Sequence, residues 1–314
     1  FARVVLREEL GENDNQKWFE IKEQAAGRKR LLLLWYIYKF VGKKPVKFIV
    51  FFVTLFAFLG AGKVRKYSQK YLKIATGNGG LIQSFRHFLN YSYSLVDNME
   101  MFTDNFSFED IYFADENVQK ILYDDLLKKK GLYFLCSHLG NINTMRTFFR
   151  SGEIIDDIRV NLFLEAQQCQ IFKNFINSIS SDNPITAYPV ENIDVTTSIE
   201  IKEKLDNGEI LFIAGDRTSA HNENATFTSK FLGQKMGFPI GAFKFALILG
   251  APIYFIVCTA EKNNKYKIHL KKFEFQGSRQ ERLAELEKQY VEFLEDLTKK
   301  YPLQFYHFYD LFLE

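Results

Sequence analysis

Five apolar runs of strand length punctuate the chain after its first third: LYFLC (132–136), VNLFLE (160–165), EILFIAG (209–215), PIYFIVC (252–258) and YKIHLKK (266–272). Stretches with helical spacing of apolar residues lie between them, at 168–180, 194–206 and 240–249. Strands buried on both faces read as near-continuous apolar runs, and strands that alternate with helices return parallel to one another. The fold class expected is α/β, with a mixed, largely parallel sheet flanked by helices. A helix over 114–131 leads into the first run: Asp115 opens it, Val118, Ile121, Leu122 and Leu126 mark its apolar face, and Gly131 stops it. A last helix starts at Ser278, with Glu281 in capping-box spacing, and ends before Pro302. Its stripe is Leu283, Leu286, Tyr290, Phe293 and Leu297.

The N-terminal quarter has a different character. Between Glu23 and Asp97 there is no acidic residue, while thirteen of the 41 cations lie there, so the other 28 face all 38 acidic residues. The net charge of +3 therefore hides a strongly basic region that has to meet something anionic. Two apolar runs lie within it, LLLLWYIY (31–38) and FIVFFVTLFAFLGAG (48–62). The second has 15 residues without a charge, short of the ~20 that a spanning helix requires. Flanking Lys and Arg, with Trp35 and several Tyr, fit helices that lie in or dip into the headgroup layer. The competing readings are a buried helix pair with a solvated basic rim and, less well matched, a nucleic-acid surface. The 33 phenylalanines exceed what an aliphatic core needs and hint at contact with lipid or an acyl chain. After the loop TGNGG (76–80) the α/β pattern begins, so residues 1–80 are expected to form membrane-associating helices and 81–314 the α/β domain.

Cys136, Cys169 and Cys258 are widely spaced and odd in number, which suggests neither a disulfide framework nor a zinc ribbon and fits a reducing, cytoplasm-facing compartment. Because the first residue is Phe1, an upstream segment stays open. The chain carries no P-loop, GxGxxG, HExxH or GxSxG.

Three clusters of polar residues follow strand ends, where open α/β sheets bind ligands. In SHLGNIN (137–143), His138 is a base that could take a proton from a hydroxyl, or a histidine that bonds its own turn; Gly140 follows it, and Asn141 suits a helix cap. In IAGDRTS (213–219), Asp216 and Arg217 form a structural ion pair, or Arg217 binds a phosphate or carboxylate. In FLGQKMGFPIGAFKFALILGAPIYFIV (231–257), Pro239 and Gly241 precede an apolar helix whose start receives an anion or is an ordinary loop-to-helix turn. Alternation turns Cys136 toward the core, away from a nucleophile's position.

Taken in order, these clusters resemble motifs of the lipid A biosynthesis (lauroyl/myristoyl) acyltransferase family, within the glycerolipid acyltransferases that share a His-x4-acid motif. SHLGNIN is similar to SHxGN-x-E, GDR followed by FLG-x5-FP-x-G is similar to the later motifs, and PLQFYHFYDLF (302–312) resembles the Pro-x-Gln-aromatic close of a related branch. The likeness runs from about residue 16 to the end and includes the basic, twice-hydrophobic start.

The resemblance implies transfer of a fatty acyl group from acyl carrier protein or acyl-CoA to a hydroxyl of a membrane lipid or glycolipid, such as a lipid A precursor, at the cytoplasmic face of the bacterial inner membrane. Attachment would be peripheral or through a single pass. His138 would be the general base, Arg217 would hold an anionic group or buttress the site, and Asp216 would orient it. Gly140, Asn141 and Glu165 would complete the substrate-binding set. No metal or redox cofactor is implied, nor nucleic acid; the partners are the lipid acceptor, the acyl carrier protein and an anionic membrane surface. Asn143 stands where the family has Glu or Asp. It accepts one hydrogen bond and adds no charge, so either Glu165 or Asp216 supplies the missing carboxylate, or the chain binds lipid or acyl carrier with impaired catalysis. A hydrolase using the same base is a neighbouring reading.

Overall fold

The computed structural model describes residues 37–38, 40, 42–102, 106–150, 158–179, 184–218 and 225–313. The first apolar run lies almost wholly outside them, as do Arg28, Lys29, Arg30 and Lys39.

Seven strands make the main sheet: β1 (Ile111–Phe113), β2 (Leu132–Cys136), β3 (Val160–Leu164), β4 (Ile185–Pro189), β5 (Ile210–Ala214), β8 (Ile253–Ala260) and β9 (Tyr266–Lys272). Their spatial order is β1-β9-β8-β2-β5-β3-β4. β8, β2, β5, β3 and β4 run parallel, while β9 turns back antiparallel to β8 and β1 follows β9. The mixed, largely parallel sheet expected from the pattern is therefore present, with all five of the expected strands in it.

The helices that flank the sheet follow from alternation along its strands. Tyr133, Leu135, Leu211, Ile213, Phe255 and Val257 face one side, against α7 (Val195–Asp206), α8 (Ile240–Leu249) and α9 (Arg279–Lys300). Leu132, Phe134, Ile210, Phe212, Tyr254 and Ile256 face the other, against α4 (Glu116–Leu127) and α5 (Thr144–Arg150). β2 is buried at every residue, which is what its unbroken apolar run required. The expected helix starts hold: Asp115 accepts from two backbone N–H groups of α4, and Ser278 and Glu281 form a full capping box on α9. α6 (Ala166–Ile179) links β3 to β4.

Four strands lay outside the sequence reading. β1 has only three residues, and β4 ends on a proline; both are edge strands with little apolar signal. The other two, β6 (Thr226–Phe231) and β7 (Gln234–Pro239), form a separate hairpin. Its two-residue turn is Leu232-Gly233, with φ of 52° and 81°. A leucine in the first of those positions carries none of the usual turn chemistry, so the sequence shows no hairpin signal there.

Ahead of the sheet the described residues include three helices: α1 (Lys43–Gly60), α2 (Gly62–Thr76) and α3 (Leu81–Phe102). Gly77, at φ 75°, ends α2 inside the loop expected at 76–80. α3 nevertheless packs back on α1, where Val46 and Val50 meet Val96 and Met99, so the helical layer continues to residue 102. The interface is tied by charge: Lys43 and Lys47 lie 3.1 and 2.8 Å from Asp97, and Lys43 also bonds Glu100. Asp97 is buried and accepts from Tyr266 Oη of β9 at 2.8 Å. Part of the basic charge is thus spent inside the molecule, and Lys44, Lys66, Lys73 and Arg86 are among the cations left exposed.

α1 is apolar on both sides. While Val46, Val50, Thr54, Ala57 and Phe58 are buried, Phe48, Ile49, Phe52, Phe56 and Leu59 are 43–67% exposed. No single helix among the described residues is long and apolar enough to cross a membrane, and α1 and α2, which pass together by length and composition, are bent by 97°.

Candidate active site

The site is built where two neighbouring parallel strands end. In the β2–β5 register Cys136 lies opposite Ala214. Two residues further on each strand come His138 and Asp216, so the register itself sets the histidine beside the aspartate. Gly215 N–H donates to the Cys136 carbonyl at 3.0 Å and carries the pairing one step past the strands. The chain leaving β2 then crosses the end of β8. There Asn141 N–H donates to the Cys258 carbonyl at 2.7 Å, and a Cβ on Gly140 would lie 2.0 Å from that same oxygen. With φ at 75° as well, position 140 admits only glycine without moving the strand end.

Asp216 is fully buried and has three donors. Its Oδ2 accepts from the His138 backbone N–H at 2.7 Å, and its Oδ1 is 2.9 Å from His138 Nδ1. The third is His307, whose Nε2 is 3.0 Å from Oδ2. Burial by itself would raise the Asp216 carboxyl, but the charge of protonated His138 and the hydrogen bonds from both histidines hold it well below the usual carboxylate range. An ionised carboxylate only accepts, so His138 Nδ1 carries a proton, and in the neutral ring the lone pair is then on Nε2. The His138 side chain is 34% exposed, so that nitrogen has a way to solvent or substrate.

His307 comes from the segment after α9, which runs beside residues 138–140. Gly140 N–H donates to the Gln304 carbonyl at 2.8 Å, Tyr306 N–H to the His138 carbonyl at 3.0 Å, and Leu139 pairs with Phe305 across an isolated bridge. The Gln304 amide brackets Ala260, accepting from its N–H and donating to its carbonyl. The His307 ring is wholly buried, with Tyr309 Oη 2.7 Å from Nδ1. Burial pushes its pKa down to about 3 in spite of the Asp216 bond, so the ring is neutral. From behind, Tyr290 Oη of α9 donates to the Cys136 carbonyl at 2.7 Å.

The residues expected from sequence divide into two groups. His138 and Asp216 come together, with Gly140 as the close crossing and Asn141 as the turn: Asn141 Oδ1 accepts from Asn143 N–H at 3.1 Å and leads into α5. Arg217 does not pair with its neighbour Asp216, whose acceptors are taken by the histidines. Its Nη2 donates to the Tyr306 carbonyl at 3.1 Å, and its guanidinium lies 6.0 Å from the centre of the Tyr309 ring. This braces the segment that carries His307.

Asn143 requires a correction. Its amide donates to Asn98 Oδ1 of α3 at 3.0 Å, and none of its hydrogen bonds among the described residues goes to His138. The reason is the strand register, which turns Nδ1 of His138 across to β5 and away from its own turn. Glu165 lies at the end of β3, beyond β5, where its carboxylate accepts from Gln168 N–H at 3.3 Å at the start of α6. Of the two carboxylates that could have replaced the motif acid, Asp216 is the one at the histidine.

The third cluster is structural. Phe231 and Phe238 of the hairpin are buried, and Ile240 N–H, at the start of α8, donates to the Ala225 carbonyl at 3.0 Å. Cys136 faces the core, where burial pushes its thiol up. His307, Tyr309, Tyr290 and Gln304 escaped the sequence reading as site residues. The signal available was the histidine set among aromatics in PLQFYHFYDLF, quoted only for its likeness to a motif.

The arrangement can do one thing directly: the His138 imidazole, one-third exposed and with a buried carboxylate behind the ring, can accept a proton and hold the resulting charge. No model of a known protein family matches the chain, and no curated protein matches it.

Proposed function

We propose that the protein is an acyltransferase that moves a fatty acyl group from an acyl carrier protein or acyl-CoA thioester to a hydroxyl of a membrane lipid or glycolipid. His138 Nε2 takes the proton of the acceptor hydroxyl while its oxygen attacks the thioester carbonyl. Asp216 stabilises the imidazolium that forms. When the tetrahedral intermediate collapses, the C–S bond breaks and the leaving sulfur takes the proton from Nε2. The thioester is already activated, so this route draws on no further cofactor. The observation that carries the reading is the His138–Asp216 pair with Nε2 left open. The motif resemblance points it toward lipid acceptors, a lipid A precursor among them, with Arg217 bracing the site.

The exposed row Phe48, Ile49, Phe52, Phe56 and Leu59 supports work at a membrane. Burying such side chains in the headgroup boundary contributes about 1.5–3 kcal/mol each at most, and exposed Lys and Arg about 1 kcal/mol each on an anionic leaflet. We read α1 as lying in the cytoplasmic face of the bacterial inner membrane with that row inward.

The test is to incubate the purified chain with palmitoyl acyl carrier protein and a bacterial polar lipid extract and follow products by mass spectrometry. An acylated lipid is the expected result. Free fatty acid with no acylated lipid would assign a hydrolase, and no turnover would leave a binding protein and overturn the proposal.

A further inference from the structure

We infer that His307 is a positioning residue, a neutral imidazole inserted behind Asp216 that fixes which nitrogen of His138 serves as base. The inference rests on the reading of His138 as the base and extends it to a side chain that touches neither substrate nor the reacting atoms.

The argument is one of donors and acceptors. Asp216 is ionised and accepts at both oxygens, so His307 Nε2, at 3.0 Å, has to carry a proton. A neutral ring then has no proton on Nδ1, and Tyr309 Oη, at 2.7 Å, donates to it. The bonds run one way: Tyr309 O–H to His307 Nδ1, His307 Nε2–H to Asp216 Oδ2, and His138 Nδ1–H to Asp216 Oδ1. Every proton in the row is assigned, and the lone pair left over is on His138 Nε2, in a side chain that is one-third exposed.

Neutrality matters as much as direction. A cation in place of His307 would cancel the Asp216 charge that the imidazolium of His138 needs. A group with no donor would leave Oδ2 with the His138 backbone N–H alone and the carboxylate freer to turn. A buried imidazole gives a strong bond to the carboxylate and adds no charge. Of the other ionisable groups around the pair, Cys136 of β2 and Tyr290 of α9 are both pushed up by burial and stay neutral, and Arg217, which donates to the Tyr306 carbonyl, adds its charge to what keeps His307 neutral. His138, His307 and Asp216 are also close enough to suggest a metal site, their donor atoms all lying within 4.8 Å of one another. The two imidazole–carboxylate spacings of 2.9 and 3.0 Å are those of hydrogen bonds.

The test uses the full chain, labelled with 15N-histidine, and reads the two nitrogens of each imidazole by NMR, with His307→Phe and His138→Ala assigning the signals. His138 is expected with its proton on Nδ1 and His307 with its proton on Nε2. His307→Phe should mix the tautomers of His138, while His307→Gln, whose amide nitrogen reaches where Nε2 does, should restore one. In the palmitoyl transfer assay, His307→Phe should lower kcat by about 10- to 100-fold with KM little changed. It should also move the acid limb of kcat/KM to higher pH, because the carboxylate then gives more of its charge to protonated His138. His307→Gln should recover most of both.

His307 found with its proton on Nδ1, or His138 unchanged in tautomer in His307→Phe, would overturn the inference. So would activity that a chelator abolishes and Zn2+ restores. The proposed base fails separately, if His138→Ala still transfers palmitate, and the imidazole spectra decide the positioning role in either case.

Discussion

His87 and His138 flank the same C-terminal segment, and each has a ring nitrogen committed to a partner. His87 Nε2 donates to the Phe305 carbonyl at 2.9 Å, and its Nδ1 accepts from Ser68, 3.0 Å away, which is in turn bonded to Ser84. A serine beside a histidine would pass for a nucleophile and its base on residue type alone. Yet His87, Ser68 and Ser84 are all fully buried, no carboxylate among the described residues bonds the ring, and Phe308 stacks on it at 4.5 Å. Both nitrogens of His87 are spent on holding α2 and α3 to residues 305–308. His138 has a carboxylate at one nitrogen and an opening at the other. Chemistry here depends on what is left unsatisfied, and structure on leaving nothing so.

The largest effect that would sharpen this contrast belongs to Asp216→Asn, which keeps the shape and removes the charge. Transfer should fall by about 10²–10⁴-fold, because a neutral amide no longer dictates the His138 tautomer or offsets the imidazolium charge. The protein should also lose stability, because the buried donors then face a neutral amide. A retained rate would break the comparison by making the carboxylate as incidental as the serines at His87.

Next in size, replacing Phe48, Phe52 and Phe56 by serine should release the chain from anionic phospholipid vesicles in a flotation assay, with the thermal midpoint little changed because these side chains are already exposed. Raised salt should weaken the contact only in part, since apolar burial is not screened. Vesicle binding that persists in this variant would remove α1 from the membrane account.

His87 should report on stability where His138 reports on rate. Burial lowers the His87 pKa to about 4, although its bond to Phe305 opposes the shift. The unfolded chain takes up that proton below about pH 6.5, while the folded chain refuses it. Stability from His87 is therefore complete above pH 6.5 and drains away as the pH falls toward 4, by roughly 3 kcal/mol over the window. His269, also lowered to about 4 by burial with Lys267 and Lys300 nearby, and His307 add in the same direction. His87→Phe should flatten the fall of the urea midpoint between pH 7 and 4.5, and leave turnover per folded molecule within a few-fold. A slope equal to wild type would mean that the ring is not buried neutral.

The smallest effect is assigned to Asn143. Asn143→Ala should change transfer by less than about threefold, because the histidine's partner is elsewhere. A hundredfold loss would return Asn143 to the centre of the site.

Reading the sequence reached five strands because each is an apolar or alternating segment of strand length, and reached His138 and Asp216 because both follow the unbroken apolar runs of β2 and β5. It could not show that β2 and β5 are neighbours, since strand order leaves no local trace, so Asn143 stood in for a partner that register supplies. The hairpin and the edge strands were hidden for a different reason: their residues answer to packing by Phe231, Met236 and Phe238 and to one unusual turn, with little periodic signal. His307 was hidden because its segment has no regular structure to place it. Only the pairing of residues 305–306 with 138–139 brings it to the carboxylate.

The central claim is that His138 Nε2 is the base. It is tested most directly by the rate of palmitoyl transfer from acyl carrier protein to polar lipid extract in His138→Ala, measured beside wild type with the thermal midpoint as a check on folding. Because the ring is one-third exposed, the variant should fold normally. Its rate should fall by about 10²–10⁴-fold across the whole pH range. A folded His138→Ala protein that transfers palmitate at the wild-type rate would contradict the account.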